Sequence, residues 1–84
     1  MILNKLKQFP IGYSFANYLG KKYGITRTNF NQGKSFKFFA QELGGTNFIS
    51  LNYYITPSGN SLKPCEMPIA KVFHFLNHAI INKE

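Results

Sequence analysis

Two stretches in the middle of the chain alternate apolar and polar side chains with a period of two, which is typical of β-strands. They cover residues 34–42 and 47–56, and the glycines within 43–46 permit the positive φ angles of a short hairpin loop. If Glu42 pairs with Asn47, counting along the hairpin gathers apolar residues on one face: Phe36, Phe38, Ala40, Ile49, Leu51 and Tyr53. Because a one-residue slip would exchange the faces of one strand, this coherent face supports the register.

A further strand is predicted before this hairpin, beginning at Ile25. Residues 31–33 suit a three-residue hairpin loop in which Gly33 takes the left-handed conformation. This loop predicts the cross-strand pairs Phe30 with Lys34, Thr28 with Phe36, and Arg27 with Lys37. After the last of the three strands, residues 56–60 form a turn, and Leu62 and Lys63 before Pro64 leave room for only a short edge strand.

A helix is predicted on the N-terminal side of these strands. The residues that recur there at helical spacing are Phe15, Tyr18, Leu19 and Lys22. Ser14 suits the N-cap of this helix, and Gly24 suits the position just after its C-terminus.

A C-terminal amphipathic helix is predicted after Pro68, a residue that is favourable at the first helical position. Its apolar stripe consists of Ile69, Val72, Phe73, Leu76 and Ile80. Its opposite side carries Lys71, His74, Asn77 and His78. We expect this helix to close the apolar face of the sheet. The elements together predict a single α+β domain over residues 1–84, in which an N-terminal and a C-terminal helix pack on a three-stranded antiparallel meander.

The charge of the chain is strongly one-sided, with ten Lys and Arg residues against three acidic ones and a net charge of +7. AT-rich codons favour lysine, so the lysine content alone can reflect genome composition. Such codons do not remove aspartate, however, and the only acids are Glu42, Glu66 and Glu84. An uncompensated positive field attracts anionic or acidic partners, so we expect a binding module.

The second face of the predicted sheet is the candidate binding site. Arg27 and Lys37 would lie opposite each other there, and like charges in that position destabilise a sheet unless an anion neutralises them. The candidate binding residues are Arg27, Asn29, Lys34, Lys37, Phe39, Phe48, Asn52 and Tyr54. An alternative is that the N-terminal helix covers Phe39 and Phe48 as a second small core, which leaves the charges as a solvated rim.

The first functional hypothesis is a non-enzymatic module that binds single-stranded nucleic acid or an RNA-containing complex, with bases stacked on the aromatic rings. The second is a protein-interaction module, for example a small inhibitor or adaptor encoded by a mobile element or phage, that binds an acidic protein surface. The single arginine argues against sequence-specific readout, because lysine lacks the bidentate fork of arginine.

Catalytic and metal-binding chemistry is weakly represented. His74 and His78 have a spacing that two metal ligands can share, but no further ligand motif accompanies them, so a polar outer helix face is the better interpretation. Cys65 is interpreted as a structural thiol, and we expect neither enzymatic activity nor a cofactor.

The cellular setting is expected to be the cytoplasm. Cys65 is the only cysteine, so an internal disulfide cannot form. The N-terminal apolar run is too short for a signal peptide, and no stretch reaches the length of a membrane span. Lys5 and Lys7 are too few for a polybasic membrane contact, so we expect no membrane partner.

Overall fold

The computed structural model describes residues 2–82, and the side chains of residues 4–82. In order along the chain, the elements are α1 (Ile2–Lys7), β1 (Gly12–Tyr18), β2 (Lys21–Phe30), β3 (Ser35–Glu42), β4 (Phe48–Thr56), β5 (Gly59–Pro64), α2 (Ile69–His78) and β6 (Ile80–Ile81). Within this part of the chain, the strands form one six-stranded antiparallel sheet in the order β5-β4-β3-β2-β1-β6. The α+β class is confirmed, whereas the predicted three-stranded meander is too small.

The predicted N-terminal helix is wrong, because its residues form β1 and the start of β2. The two strands are joined by Leu19 and Gly20, which both have positive φ angles, of 52° and 76°. Two central residues with positive φ are the requirement of the type I′ hairpin turn, whose twist matches that of the flanking strands. Ser14 and Gly24 therefore lie inside strands and cap no helix.

The register of β3 against β4 is confirmed. Phe36, Phe38 and Ala40 pair with Tyr53, Leu51 and Ile49, respectively. The Glu42 amide also donates to the Asn47 carbonyl oxygen at 2.9 Å, as expected for the closing pair of the hairpin.

The predicted register of β2 against β3 is wrong by one residue. Phe30 pairs with Ser35, so residues 31–34 form the loop, and Arg27 lies opposite Phe38 instead of Lys37. The loop contains a 3-10 turn, Asn31–Gly33, whose residues have φ angles of 53°, 59° and 86°. The Lys34 amide closes it by donating to the Asn31 carbonyl oxygen at 3.1 Å. The slip transfers every side chain of β2 to the other face, since successive strand residues point in opposite directions.

Both helices pack on the same face of the sheet, which we call the core face. Leu6 and Phe9 from the N-terminal segment join the buried side chains of α2 and of the four strands β1 to β4 in one cluster. Its members are Leu6, Phe9, Ala16, Tyr18, Tyr23, Ile25, Phe36, Phe38, Ala40, Ile49, Leu51, Tyr53, Val72, Phe75 and Leu76. Within residues 2–82, neither helix combines the length and the apolar character that a membrane span requires.

The C-terminal helix is confirmed as α2, but its buried stripe is rotated from the predicted one. Val72, Phe75 and Leu76 are buried, whereas Ile69 and Phe73 are exposed. Pro68 is the N-cap rather than the first helical residue. The helix ends at His78, and Ile80 pairs with Asn17 as part of β6.

The predicted edge strand is also longer than expected, because β5 begins at Gly59.

Candidate functional site

The face opposite the core face, which we call the outer face, carries neither α1 nor α2. The alternative in which an N-terminal helix covers this face is wrong, because the segment concerned is β1 of the same sheet. Cross-strand pairing places on the outer face Tyr13, Phe15, Asn17, Lys22, Gly24, Thr26, Thr28, Phe30, Ser35, Lys37, Phe39, Gln41, Phe48, Ser50, Asn52, Tyr54, Ser61 and Lys63. The outer face is therefore a broad surface of aromatic, hydroxyl, amide and lysine side chains, in which Gly24, Ser35 and Ser50 are buried.

The outer face is organised in rows that cross the strands. The lysine row contains Thr28, Lys37, Asn52 and Lys63. The next row contains Tyr13, Thr26, Phe39 and Ser50, and the one after it contains Phe15, Gly24, Gln41 and Phe48. We call these two the aromatic rows. The lysine row thus lies directly beside aromatic rings.

Five of the candidate residues share the outer face: Lys37, Phe39, Phe48, Asn52 and Tyr54. Phe39 and Phe48 stack with ring centroids 6.1 Å apart and an interplanar angle of 29°. Both rings remain partly exposed. Lys71 of α2 extends to this pair, with its ammonium nitrogen 5.7 Å from the Phe48 centroid.

Two candidate residues, Arg27 and Asn29, are misplaced, because the one-residue slip transfers them to the core face. Arg27 is only 8% exposed, and burial lowers its pKa because desolvation disfavours the cation. Its Nε and the Asn29 Oδ1 are buried without a hydrogen-bond partner in the described part of the chain. The remaining candidate, Lys34, is exposed in the loop between β2 and β3.

The predicted pair of like charges does not exist, because Lys37 lies opposite Thr28. Lysine nevertheless remains the only charged residue type at the strand positions of the outer face, at Lys22, Lys37 and Lys63. Glu42 belongs to the row of Tyr23 on the other face and forms an ion pair with Lys21 at 3.8 Å. Glu84 lies outside the described residues. The outer face consequently has a positive potential that its own strands do not neutralise.

Sequence reasoning missed the contribution of β1 and β2 to the outer face. Tyr13 and Phe15 pack edge to face with centroids 5.1 Å apart, and the Lys22 ammonium lies 4.3 Å from the Phe15 centroid. The signal that identifies them is the alternation through 12–18 followed by Leu19-Gly20, because glycine at the second turn position is typical of a hairpin.

A separate group of ionisable side chains connects Tyr18 on the core face with two exposed histidines of α2. The Tyr18 hydroxyl hydrogen-bonds with the His74 Nδ1 at 2.5 Å, and the His74 and His78 ring centroids are 4.3 Å apart. Burial raises the pKa of Tyr18, and the neighbouring Tyr23 adds to this effect. Over residues 2–82, no group of three or more His, Cys, Asp and Glu side chains is positioned to hold a metal ion.

Cys65 lies at the margin of the outer face, just beyond β5. Its amide donates to the Ser50 carbonyl oxygen at 2.9 Å, and its Sγ accepts a hydrogen bond from the Asn52 side-chain amide at 3.6 Å. The thiol is partly exposed, so it is a chemical probe next to the lysine row.

Comparison with protein-family models, curated proteins and solved structures finds no match to this chain.

Proposed function

We propose that the protein is a non-enzymatic module that binds single-stranded nucleic acid on the outer face of its sheet. The observation that supports this proposal is the adjacency of the stacked Phe39–Phe48 pair to the lysine row on a face that neither helix covers. Bases stack on such rings whatever their identity, while lysines contact the phosphates.

Each part of this surface has a role that follows from its chemistry. The partly exposed rings of Phe39, Phe48 and Tyr54 offer π-faces, and base stacking on such rings is worth about 1–3 kcal/mol per base. Lys37 and Lys63 flank Asn52 in one row, so two ammonium groups lie on either side of an amide that hydrogen-bonds to bases or sugars. With Arg27 in the core, the face lacks a guanidinium fork for guanine, and binding is expected to tolerate most sequences.

Fluorescence anisotropy with labelled single-stranded DNA and RNA tests the proposal. We expect a Kd below the micromolar range at about 50 mM salt, with clear weakening at about 200 mM, because lysine contacts release counterions. An absence of salt-sensitive binding in this range would overturn the proposal.

Matched variants identify the surface that binds the oligonucleotide. Lys37→Gln should reduce the slope of log K against log salt by about 0.7, the value for one phosphate contact with a single strand. Lys7→Gln on α1 makes the same charge change away from the outer face and should bind like the wild type apart from a small nonspecific loss. Phe39→Ala should weaken binding by about 5-fold to 150-fold, whereas Phe73→Ala, at a 39% exposed ring on α2, should not.

Cys65 provides an independent readout, because it is the only cysteine and it borders the lysine row. A saturating oligonucleotide should slow alkylation of the thiol by a maleimide reagent in the native protein. An unchanged alkylation rate at saturation would place the nucleic acid elsewhere on the molecule. If an acidic protein protects Cys65 and oligonucleotides do not, the outer face is a protein interface instead.

A further inference from the structure

Two pairs of aromatic rings on the outer face each have a lysine nearby. On β1 and β2, Tyr13 packs against Phe15, and Lys22 lies over the Phe15 ring. The second unit combines Phe39 and Phe48, whose rings stack with an interplanar angle of 29°, with Lys71 of α2, whose ammonium lies 5.7 Å from the Phe48 centroid. We call these the β1 unit and the β3 unit. In each unit the lysine lies near the ring in the second aromatic row, which is Phe15 or Phe48. The other ring, Tyr13 or Phe39, belongs to the first aromatic row.

The two units face each other across β2, in register. Tyr13 and Phe39 both pair with Thr26, and Phe15 and Gln41 both pair with Gly24. The side chains between the units are therefore small ones. Since neighbouring strands lie about 4.8 Å apart, the backbones at Tyr13 and Phe39 are separated by about 10 Å.

Gly24 determines where the Tyr13 ring lies. A methyl group at this position would overlap the Tyr13 hydroxyl and lie 3.0 Å from its Cζ. The absence of a side chain at Gly24 thus lets the ring lean across β2 towards the β3 unit. Tyr13 nevertheless remains 60% exposed, which leaves most of its ring surface available to a ligand.

We propose that a single strand of nucleic acid bridges the two units, with one base on Tyr13 and another on Phe39. This inference rests on the proposed function and adds a second stacking position, a direction across the strands and a minimum length. Because the two rings belong to strands about 10 Å apart, one nucleotide cannot occupy both, and the bridge needs a longer oligonucleotide than the β3 unit alone. Lys22 and Lys71 mark the two ends of this path and contact its phosphates. A duplex cannot use it, because its bases stack on each other and present no free faces to the rings.

A length series tests the bridge. Anisotropy is measured with oligothymidylates of about two to about eight nucleotides against the wild type, Tyr13→Ala and Gly24→Ala. For the wild type, we expect affinity to rise steeply at the length at which one strand first reaches both rings. In Tyr13→Ala this rise should shrink by about 5-fold to 150-fold, while the shortest oligonucleotides, which occupy the β3 unit alone, keep their affinity.

Gly24→Ala tests whether the position of the Tyr13 ring matters for binding, because it displaces the ring without removing it. Its φ angle is not in the left-handed region, so alanine fits the backbone, and the Tyr13 side chain is free to move. We expect a loss over the same lengths as in Tyr13→Ala and no larger in size. If the wild type binds no oligonucleotide, the proposed function itself fails. If the wild type binds and both variants follow its length dependence, the bridge is overturned while binding at the β3 unit stands.

Discussion

Arg27 donates a hydrogen bond from Nη1 to the carbonyl oxygen of Phe9 at 2.8 Å and thereby ties the segment after α1 to the core face. The guanidinium carbon also lies 4.7 Å from the centroid of the Phe36 ring. Phe9 in turn packs edge to face on Phe38, with centroids 4.9 Å apart. The one arginine of a basic chain is thus a structural residue, and the lysines supply the positive charge of the outer face.

Arg27→Met tests this division of roles. It keeps an apolar stem in the core but leaves the Phe9 carbonyl without its donor, so we expect the free energy of unfolding in urea to fall by about 1–3 kcal/mol. Oligonucleotide affinity should stay unchanged, because the side chain lies on the core face. Lys37→Met should show the reverse, with weaker binding and little change in stability. Equal losses of binding in the two folded variants would return Arg27 to the binding site.

The pairing of two strands can be predicted from the sequence only where the turn between them can be recognised. The β3–β4 register was predictable because the glycines around Gly44 fix the hairpin and only one pairing makes a coherent apolar face. The β2–β3 register was not, because Asn31 and Gln32 adopt positive φ angles that favour glycine. The sequence wrongly predicts a helix in the N-terminal segment because Phe15, Tyr18 and Leu19 fit helical spacing, while the residues around them also alternate.

The candidate site was predictable to the extent that its register was. Lys37, Phe39, Asn52 and Tyr54 share the outer face because they lie on the hairpin that was paired correctly. Arg27 and Asn29 lie on the core face instead, because a register shift of one residue moves every side chain of a strand to the opposite face. Tyr13 could be placed on this face only once β1 was known to be a strand.

Leu19→Asn should stabilise the protein. Leu19 is 70% exposed and has a φ of 52°, a region that costs a leucine about 1–2 kcal/mol and an asparagine less. Asn-Gly is also the preferred dipeptide of a type I′ turn, so we expect an increase in Tm of about 4–8 °C per kcal/mol gained. Leu43→Asn, at an exposed leucine without positive φ, is the control and should give no gain. A lower Tm for Leu19→Asn would contradict the hairpin.

Stability should fall at alkaline pH because of Tyr18. Burial raises its pKa in the folded state above the ordinary tyrosine value of about 10, so the unfolded chain loses this proton first. The folded state then binds more protons, and the free energy of unfolding decreases as the pH rises above about 10. Urea unfolding of the wild type and Tyr18→Phe across this range should show a shallower decrease in the variant. His74→Asn should keep the wild-type decrease, because burial is the main cause of the shift and the hydrogen bond is not.

Phe38 and Phe39 are consecutive, and their substitution should separate folding from binding. Phe38 is fully buried beside Phe9 and Phe75, whereas Phe39 stacks on Phe48 at the outer face. Phe38→Ala should lower the free energy of unfolding by about 3–5 kcal/mol, and the gentler Phe38→Leu by about 1.5 kcal/mol or less. Phe39→Ala should cost about 1 kcal/mol of stability, the scale of one cross-strand pair, and most of the oligonucleotide affinity. Because side chains alternate along β3, folded Phe38→Leu should bind oligonucleotides like the wild type. Weaker binding by Phe38→Leu, together with full affinity in Phe39→Ala, would mean that the core face contacts the ligand.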